Sequence, residues 1–229
     1  MHPLDRPVWH ALRSGWAALA QGDAHALRLD PLHGPFAATV DDGPDSLNAL
    51  AALAQDDGET WLVGQAVPVA PPGLSVARTV TLAQMIAHTV TPAPAPPPDW
   101  VVLSEGDAAD MRALALLTRP GPFHPLTHRL GRFIGVREAG QLVAMAGERM
   151  RLPGFTEVSG VCTHPDFRGR GLAGGLMRIV MQTMLDRGET PFLHAYAAHD
   201  RTIALYATLG FAVRAELPMA VLVRDPANA

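Results

Sequence analysis

A run of prolines constrains this chain more than any other feature. Thr91-Pro-Ala-Pro-Ala-Pro-Pro-Pro98 packs five prolines into eight residues. Each proline fixes φ and removes a backbone donor, so the stretch neither continues a helix nor sits inside a sheet. It predicts an extended linker at 91–98 that divides the chain into regions 1–90 and 99–229. The whole chain of 229 residues suits one large domain or two small ones. At 48% apolar and 17% charged it can bury a core, which excludes a disordered chain. The single cysteine, Cys162, excludes a disulfide framework or a cysteine-based zinc site.

All 18 basic residues are arginine, which reads as the coding bias of a GC-rich, bacterial genome. It also excludes any mechanism that needs a lysine. The net charge of −4 argues against a nucleic-acid binder. The charge is uneven: residues 1–99 carry four arginines against ten acidic residues, residues 100–229 fourteen against twelve. The second region therefore suits an anionic ligand better. The acidic first region would favour cationic amines if it shaped an entrance. The uncharged stretches 60–77 and 79–98 are broken by prolines and glycines, so neither reads as a membrane span. The start of the chain lacks an apolar signal core, and a cytoplasmic protein is expected.

In the first region Val8–Ala20 and Ser46–Ala54 read as helices, and Phe36–Val40, Trp61–Gly64 and Leu74–Val80 as short strands. Thr81–His88 reads as one more helix. No motif there carries chemistry. In the second region Trp100–Ser104 reads as a strand and Asp107–Thr118 as a helix with Met111, Leu114, Ala115 and Leu117 on its apolar side. A proline-rich loop follows at 119–125. Arg132–Arg137 and Gln141–Met150 form a hairpin, and Glu157–Thr163 is the next strand. Leu172–Arg187 is a long helix closed by Gly188. Phe192–Ala197, Arg201–Leu209 and Phe211–Val223 read as strand, helix and a final strand pair or bent strand.

The informative segment is Val161-Cys-Thr-His-Pro-Asp-Phe-Arg-Gly-Arg-Gly-Leu-Ala-Gly-Gly175. A strand ends, a basic glycine-rich loop follows, and a long helix begins. The first amides of a helix lack intrahelical acceptors, and the helix dipole places partial positive charge there. Glycines permit close approach and Arg168 and Arg170 add cations, so the loop reads as a pyrophosphate cradle. It is neither a dinucleotide fingerprint nor a P-loop, because no Gly-x-Gly-x-x-Gly and no Lys-Ser/Thr is present.

Arg168-Gly-Arg-Gly171-Leu-Ala173 resembles the Arg/Gln-x-x-Gly-x-Gly/Ala signature of the GNAT superfamily of N-acyltransferases. The preceding Val161-x-x-His-Pro-x-x-Arg-Gly169 is similar to the end of that superfamily's fourth strand. Ile203-Ala-Leu-Tyr-Ala-Thr-Leu-Gly-Phe211 is similar to its Leu-Tyr-x-x-x-Gly-Phe close. The resemblance spans residues 100–226. It implies an α+β (mixed α/β) fold over 99–229, with a mixed, mostly antiparallel central sheet flanked by helices. A smaller α/β half would precede it, packed against it, with a weak hint of a degenerate transferase-like half.

The resemblance also implies transfer of an acetyl or other acyl group from acyl-coenzyme A, by direct attack, to a small-molecule or peptide amine. A coenzyme A-binding regulatory module without turnover is the alternative. No metal, nucleic acid or membrane is implied, and either a monomer or a homodimer would serve. By resemblance, Arg168, Gly169, Arg170, Gly171, Ala173 and Gly174 surround the pyrophosphate of acetyl-CoA. The main chains of Val161 and Thr163 face the thioester like an oxyanion hole, and Tyr206 protonates the departing thiolate. His199 stands where the family usually has an Asn that touches the cofactor. Glu157, expected to have a pKa raised by burial, is the first candidate base and Glu148 the second. Phe123, His124 and Thr127 are candidates for the acceptor side. His194 on the fifth strand reads as either core or acceptor-facing. His124 and His128 are four apart, as metal ligands on a helix can be, but no third ligand is evident.

Overall fold

The computed structural model describes residues 2–93 and 96–225, so Pro94 and Ala95 of the expected linker, and 226–229, lie outside the described residues. Proline in the first turn opens helix α1 (Pro7–Leu12), which buries Val8, Ala11 and Leu12. The expected helix to Ala20 stops early. At Gly15 the chain runs against Arg151, where a Cβ would meet the Arg151 carbonyl oxygen at 2.5 Å. Trp16 is buried there, its indole donating to the Arg149 carbonyl at 2.9 Å. Tertiary packing overrides helix propensity at this point. Strands β1 (Ala20–Gly22), β2 (Ala26–Leu29) and β3 (Ala37–Thr39) form a small antiparallel sheet, and helix α2 (Pro44–Leu53) follows.

The next strands, β4 (Thr60–Val63) and β5 (Leu74–Ile86), belong to the main sheet. The expected helix at Thr81–His88 is instead largely the second half of β5. Leu82, Ala83, Gln84 and Met85 are all buried, so both faces of the strand are covered. A short, wholly buried apolar run does not declare its period, and here it is a central strand.

Strand β6 (Val101–Leu103) precedes helix α3 (Ala108–Thr118). The hairpin is β7 (Phe133–Glu138) and β8 (Gln141–Leu152), turned by Ala139 and Gly140, both at positive φ. Then come β9 (Phe155–Thr163), helix α4 (Leu172–Asp186), β10 (Thr190–Tyr196), helix α5 (Asp200–Ala207) and β11 (Ala212–Arg224). The eight-stranded order is β4-β11-β5-β10-β9-β8-β7-β6. Among the described residues, the β9–β10 pair is parallel and the other neighbours are antiparallel.

Two expectations are corrected by this topology. Of the strand pair or bent strand expected at Phe211–Val223 the structure has the single strand, β11, with irregularities at Val213–Ala215 and Val221–Leu222, and its neighbours β5 and β4 both come from before the prolines. Residues 1–90 are therefore no degenerate transferase-like half, because two of their strands complete the sheet of 99–229. Nor does the proline stretch separate independent bodies. Arg178 Nε donates to the Thr91 carbonyl at 2.8 Å, and the Thr91 amide donates to the Leu209 carbonyl at 3.0 Å. A Cβ on Gly175 would meet Pro98 at 2.5 Å. The described segments of the stretch thus lie against α4 and the end of α5.

Helix α4 covers one face of the sheet, packing Leu176, Met177, Val180 and Met181 on Ile134, Val143, Val158 and Leu193. The opposite face packs α3 and α1: Met111 and Leu114 meet Phe133, Met145 and Cys162, while Leu12 and Trp16 join Met150 and Phe192. Leu117 of α3 is exposed, leaving Met111, Leu114 and Ala115 as that helix's buried residues.

Candidate active site

The sheet opens between β9 and β10. Their ladder ends at the Phe192–Glu157 pair, so β9 beyond that point has no partner on the β10 side. The cause lies in a bulge at Gly160. On the other edge of β9, Ser159 pairs with Gly147 and Cys162 with Met145, so Gly160 and Val161 together oppose Ala146. Gly160 has φ +63°, and a Cβ there would meet the Phe133 ring at 2.7 Å. Only glycine satisfies both demands.

The bulge also inverts the strand's alternation. Val158 packs towards α4, yet Cys162, of the same parity in sequence, packs towards α3. Val161 therefore joins the α4 side, while Glu157, next to Val158, points to the opposite face. Counting Glu157, Ser159 and Val161 as one face does not hold.

Two cavities flank the opening. The larger, about 1590 Å³, is lined by Thr163, the 167–175 loop, Glu138, Arg178 and the proline stretch. The smaller, about 250 Å³, is lined by Phe36, Trp61, Leu82, Arg149, Glu157 and His194 among others. Pro120, Val161, Thr202 and Tyr206 line both. Tyr206 thus stands at the junction, and burial pushes its phenol upward, keeping it protonated.

The larger cavity has the features of an anion site. After β9 a turn at Pro165–Phe167 is fixed by His164, whose ring accepts from the Asp166 amide at 3.3 Å. Gly169 and Gly171 then take φ +77° and +73°, with no heavy atom within 4 Å of where a Cβ would stand. Gly171 caps α4, and neither a capping side chain nor an acidic residue occupies the first turn. The amides of Leu172, Ala173 and Gly174 are left for another acceptor. Arg168 is exposed, and its side chain makes no hydrogen bond or ion pair among the described residues. Arg170 differs: it pairs with Glu138 and lies over the Phe167 ring at 5.5 Å. The loop therefore offers one uncommitted cation where two were expected. The open backbone around two glycines and the uncapped helix start fit a pyrophosphate.

In the smaller cavity a chain of buried polar groups begins at Glu157. Arg149 donates to both its oxygens, Nε at 2.8 Å and Nη2 at 2.9 Å. His194 Nδ1 lies 2.9 Å from Oε1 and His194 Nε2 lies 3.1 Å from the Gln84 amide nitrogen. Gln84 is itself oriented: its nitrogen donates to the Leu4 carbonyl at 2.9 Å and its oxygen accepts from Arg214 at 2.8 Å. Arg214 ends on Asp5. With its amide nitrogen turned to the ring, Gln84 makes Nε2 the acceptor and Nδ1–H the donor to Glu157.

This geometry corrects the reading of Glu157 as a base. Burial pushes its carboxyl upward, but the Arg149 charge and the hydrogen bonds from His194 and Arg149 outweigh that and hold it well below the ordinary range. A carboxylate so held is a weak proton acceptor. Glu148 is likewise engaged, by Arg187 at 2.9 and 3.0 Å, and it lines neither cavity.

Other expected residues fall elsewhere. His124 Nδ1 bonds the Pro31 carbonyl at 2.7 Å, and Thr127, which is buried, donates to the His33 carbonyl at 2.8 Å. Phe123 packs edge-on to Phe133 at 5.8 Å. These three fasten the 119–127 loop and line neither cavity. His199 lines the smaller cavity, set edge-on to Tyr196 at 5.2 Å, and not the larger one assigned to it by position. His128 pairs with Glu105 at 3.0 Å, away from His124's partner, and no group of three metal-ligating side chains exists among the described residues. Cys162 is buried, which pushes its thiol up to about 11 and leaves it inert. The acidic first region does not line the smaller cavity with acid. What it contributes is Phe36, Trp61, Val63 and Leu82. No sequence cue marked these residues, Arg149 or Gln84, because they converge only when β4 and β5 enter the sheet. No helix among the described residues is long and apolar enough to cross a membrane.

The family described as FR47-like protein matches residues 133–218. A solved structure assigned to the GNAT family of acetyltransferases, from Novosphingobium aromaticivorans, is 46% identical over 99% of this chain and 100% of its own, with a TM-score of 0.92. A GCN5-related N-acetyltransferase from Kribbella flavida shares the fold at 17% identity, covering 96% of this chain and 94% of its own, with a TM-score of 0.63. One from Sphaerobacter thermophilus does so at 15% identity, over 100% and 96%, with a TM-score of 0.54. No protein of curated description matches. The chain belongs to the GNAT family of acetyltransferases.

Proposed function

We propose that this protein transfers an acetyl group from acetyl-coenzyme A to the amine of a small molecule or peptide. The observation that carries the reading is the junction of the two cavities at Val161 and Tyr206. A diphosphate held by the amides of residues 172–174 and by Arg168 would let pantetheine run along the open edge of β9 to that junction. The cosubstrate supplies a thioester carbon there. The amine nitrogen enters from the smaller cavity and forms a bond to that carbon. The carbon–sulfur bond breaks, the amine sheds a proton to solvent, and Tyr206 gives its proton to the thiolate.

Burial keeps the Tyr206 phenol protonated until the carbon–sulfur bond breaks, and contact with the developing thiolate is what draws its proton across. Backbone amides of Val161 and Thr163 on the unpaired edge would stabilise the oxyanion. Glu157 and Arg149 act here as a fixed ion pair that orients His194, not as proton carriers. The test is calorimetric titration with acetyl-coenzyme A and with ATP, followed by thiol release with a panel of amines. Binding of acetyl-coenzyme A with amine-dependent thiol release is expected. Binding of ATP in its place would overturn the reading, and binding without release by any amine would favour a module without turnover.

A further inference from the structure

The smaller cavity carries information about the acceptor that the glycine-rich motif does not, and its bearing on the acceptor rests on the acyl transfer proposed for this site. At about 250 Å³ it lies below the usual range for drug-sized ligands, roughly 300–1,000 Å³, and suits one small molecule. Its walls are mainly apolar: Phe36, Trp61, Leu82 and Met219 face it. Phe36 and Trp61 are set edge-on at 6.1 Å, and Trp16 backs Phe36 at 5.7 Å, so the aromatic wall is fixed.

Its charges are unequal. Arg119 and Arg149 line it against Glu157 alone. Glu157 is spent on Arg149 Nε and Nη2, and Arg149 Nη1 makes no hydrogen bond among the described residues. The guanidinium lies over Phe36 at 4.9 Å, which locks it flat against the aromatic wall. Arg119 makes no ion pair or side-chain hydrogen bond among the described residues. Its backbone has φ +51° at the end of α3, and its amide donates to the Ala115 carbonyl at 2.8 Å. Glu157 balances Arg149, so the cavity's surplus positive charge is that of Arg119, which is exposed; beside it stand Nη1 of Arg149, without an acceptor among the described residues, and apolar walls.

A polyamine would bring like charge to it. A simple aryl or alkyl amine would fill the walls but leave the guanidinium groups unmatched. A molecule that bears an amine for the Tyr206 junction, an anion for the arginines and an apolar body satisfies all three. We propose that the acceptor is a free α-amino acid with an apolar side chain. Its carboxylate meets Arg119 and Nη1 of Arg149, its side chain lies between Trp61 and Met219, and its amine faces the thioester. Transfer yields the N-acetyl amino acid and coenzyme A.

The test uses the full chain. Calorimetry measures binding of leucine, methionine and phenylalanine, each against its decarboxylated amine and its amide, with spermidine as the cationic comparison. The same compounds enter a thiol-release assay with acetyl-coenzyme A. The amino acids are expected to lead their amines and amides by about 10- to 100-fold in affinity or kcat/KM, the scale of a charged hydrogen bond. Arg119→Asn, which tolerates the left-handed backbone, should draw that ratio towards one. Equal or better use of spermidine or the plain amines would overturn the proposal. So would an unchanged ratio in Arg119→Asn, or no binding of any amino acid. Failure to bind acetyl-coenzyme A defeats the acyl-transfer reading instead, while the amino-acid titrations still decide the acceptor class.

Discussion

Replacing Glu157 by glutamine separates an ion pair from a catalytic base. Glu157 is 1% exposed and Arg149 12%, so removing the negative charge leaves a nearly buried guanidinium without its counter-ion. Breaking a buried pair from one side costs about 3–5 kcal/mol. For a chain of 229 residues each kcal/mol moves Tm by about 2–4 °C, so Glu157→Gln should lower Tm by roughly 6–20 °C. Because the folded carboxyl is held below its unfolded value of about 4.3, the pair stabilises fully above that pH. The contribution is lost as pH falls through the folded pKa. The variant should therefore melt lower at pH 7 and show a flatter decline in acid than the parent. Changing both partners, Glu157→Leu with Arg149→Met, should restore most of the stability, since an apolar pair replaces a desolvated ionic one. Thermal melts followed by circular dichroism from pH 3 to 8 give these values. A loss under about 1 kcal/mol, together with a fall in kcat/KM above about 100-fold and removal of the acid limb of the rate profile, would refute the reasoning and make Glu157 the base.

Tyr206→Phe should lower kcat by about 100-fold or more while leaving acetyl-coenzyme A affinity nearly unchanged, measured by single-turnover kinetics and calorimetry. Arg168→Ala should weaken acetyl-coenzyme A binding, read by the same calorimetry, by about 1.5–3 kcal/mol. Arg170→Ala should weaken it less, because Glu138 already engages that guanidinium. A fragment of residues 99–229 should fail to show a cooperative melt, because it lacks the strand that lies between β10 and β11.

The geometry of the glycine-rich loop was largely legible because its signal is local. Glycines at 169 and 171, arginines beside them and a helix start at Leu172 follow one another in the chain, and the structure keeps them together. Tyr206, read from a second local motif, stands where the two cavities meet. The smaller cavity was not, since its residues come from distant segments: Phe36, Trp61, Arg149 and Met219 meet only in the folded sheet. Alternation along β9 cannot be carried through the bulge at Gly160, which puts Glu157 and Val161 on opposite faces. A local reading elsewhere failed for a definite cause. The helix expected at Thr81–His88 rested on a short apolar run that burial on both faces turns into a strand. The prolines were read correctly as unable to enter a helix or sheet, yet a segment can be extended and still docked, as the bond from Arg178 to Thr91 demonstrates.

The placement of β5 ties the buried polar chain to the smaller cavity. Gln84, near the end of β5, is fully buried and bonds His194, Arg214 and Leu4, while Leu82, two residues back on the same strand, lines that cavity. A strand held on both sides, by β10 and by β11, has little freedom to shift. Its neighbour on the far side of β11, β4, supplies Trp61 and Val63 to the same cavity. Part of the wall of the smaller cavity is thus built on main-sheet strands that precede the prolines, and faces residues of β8, β10 and β11 that follow them. The loop that suits a diphosphate lies wholly after them. Substitutions at Trp61, Val63 or Leu82 should therefore reshape the smaller cavity without touching residues 168–174. If the proposed acyl transfer holds, such variants should change the preference among amines in the thiol-release assay while leaving acetyl-coenzyme A affinity by calorimetry unchanged.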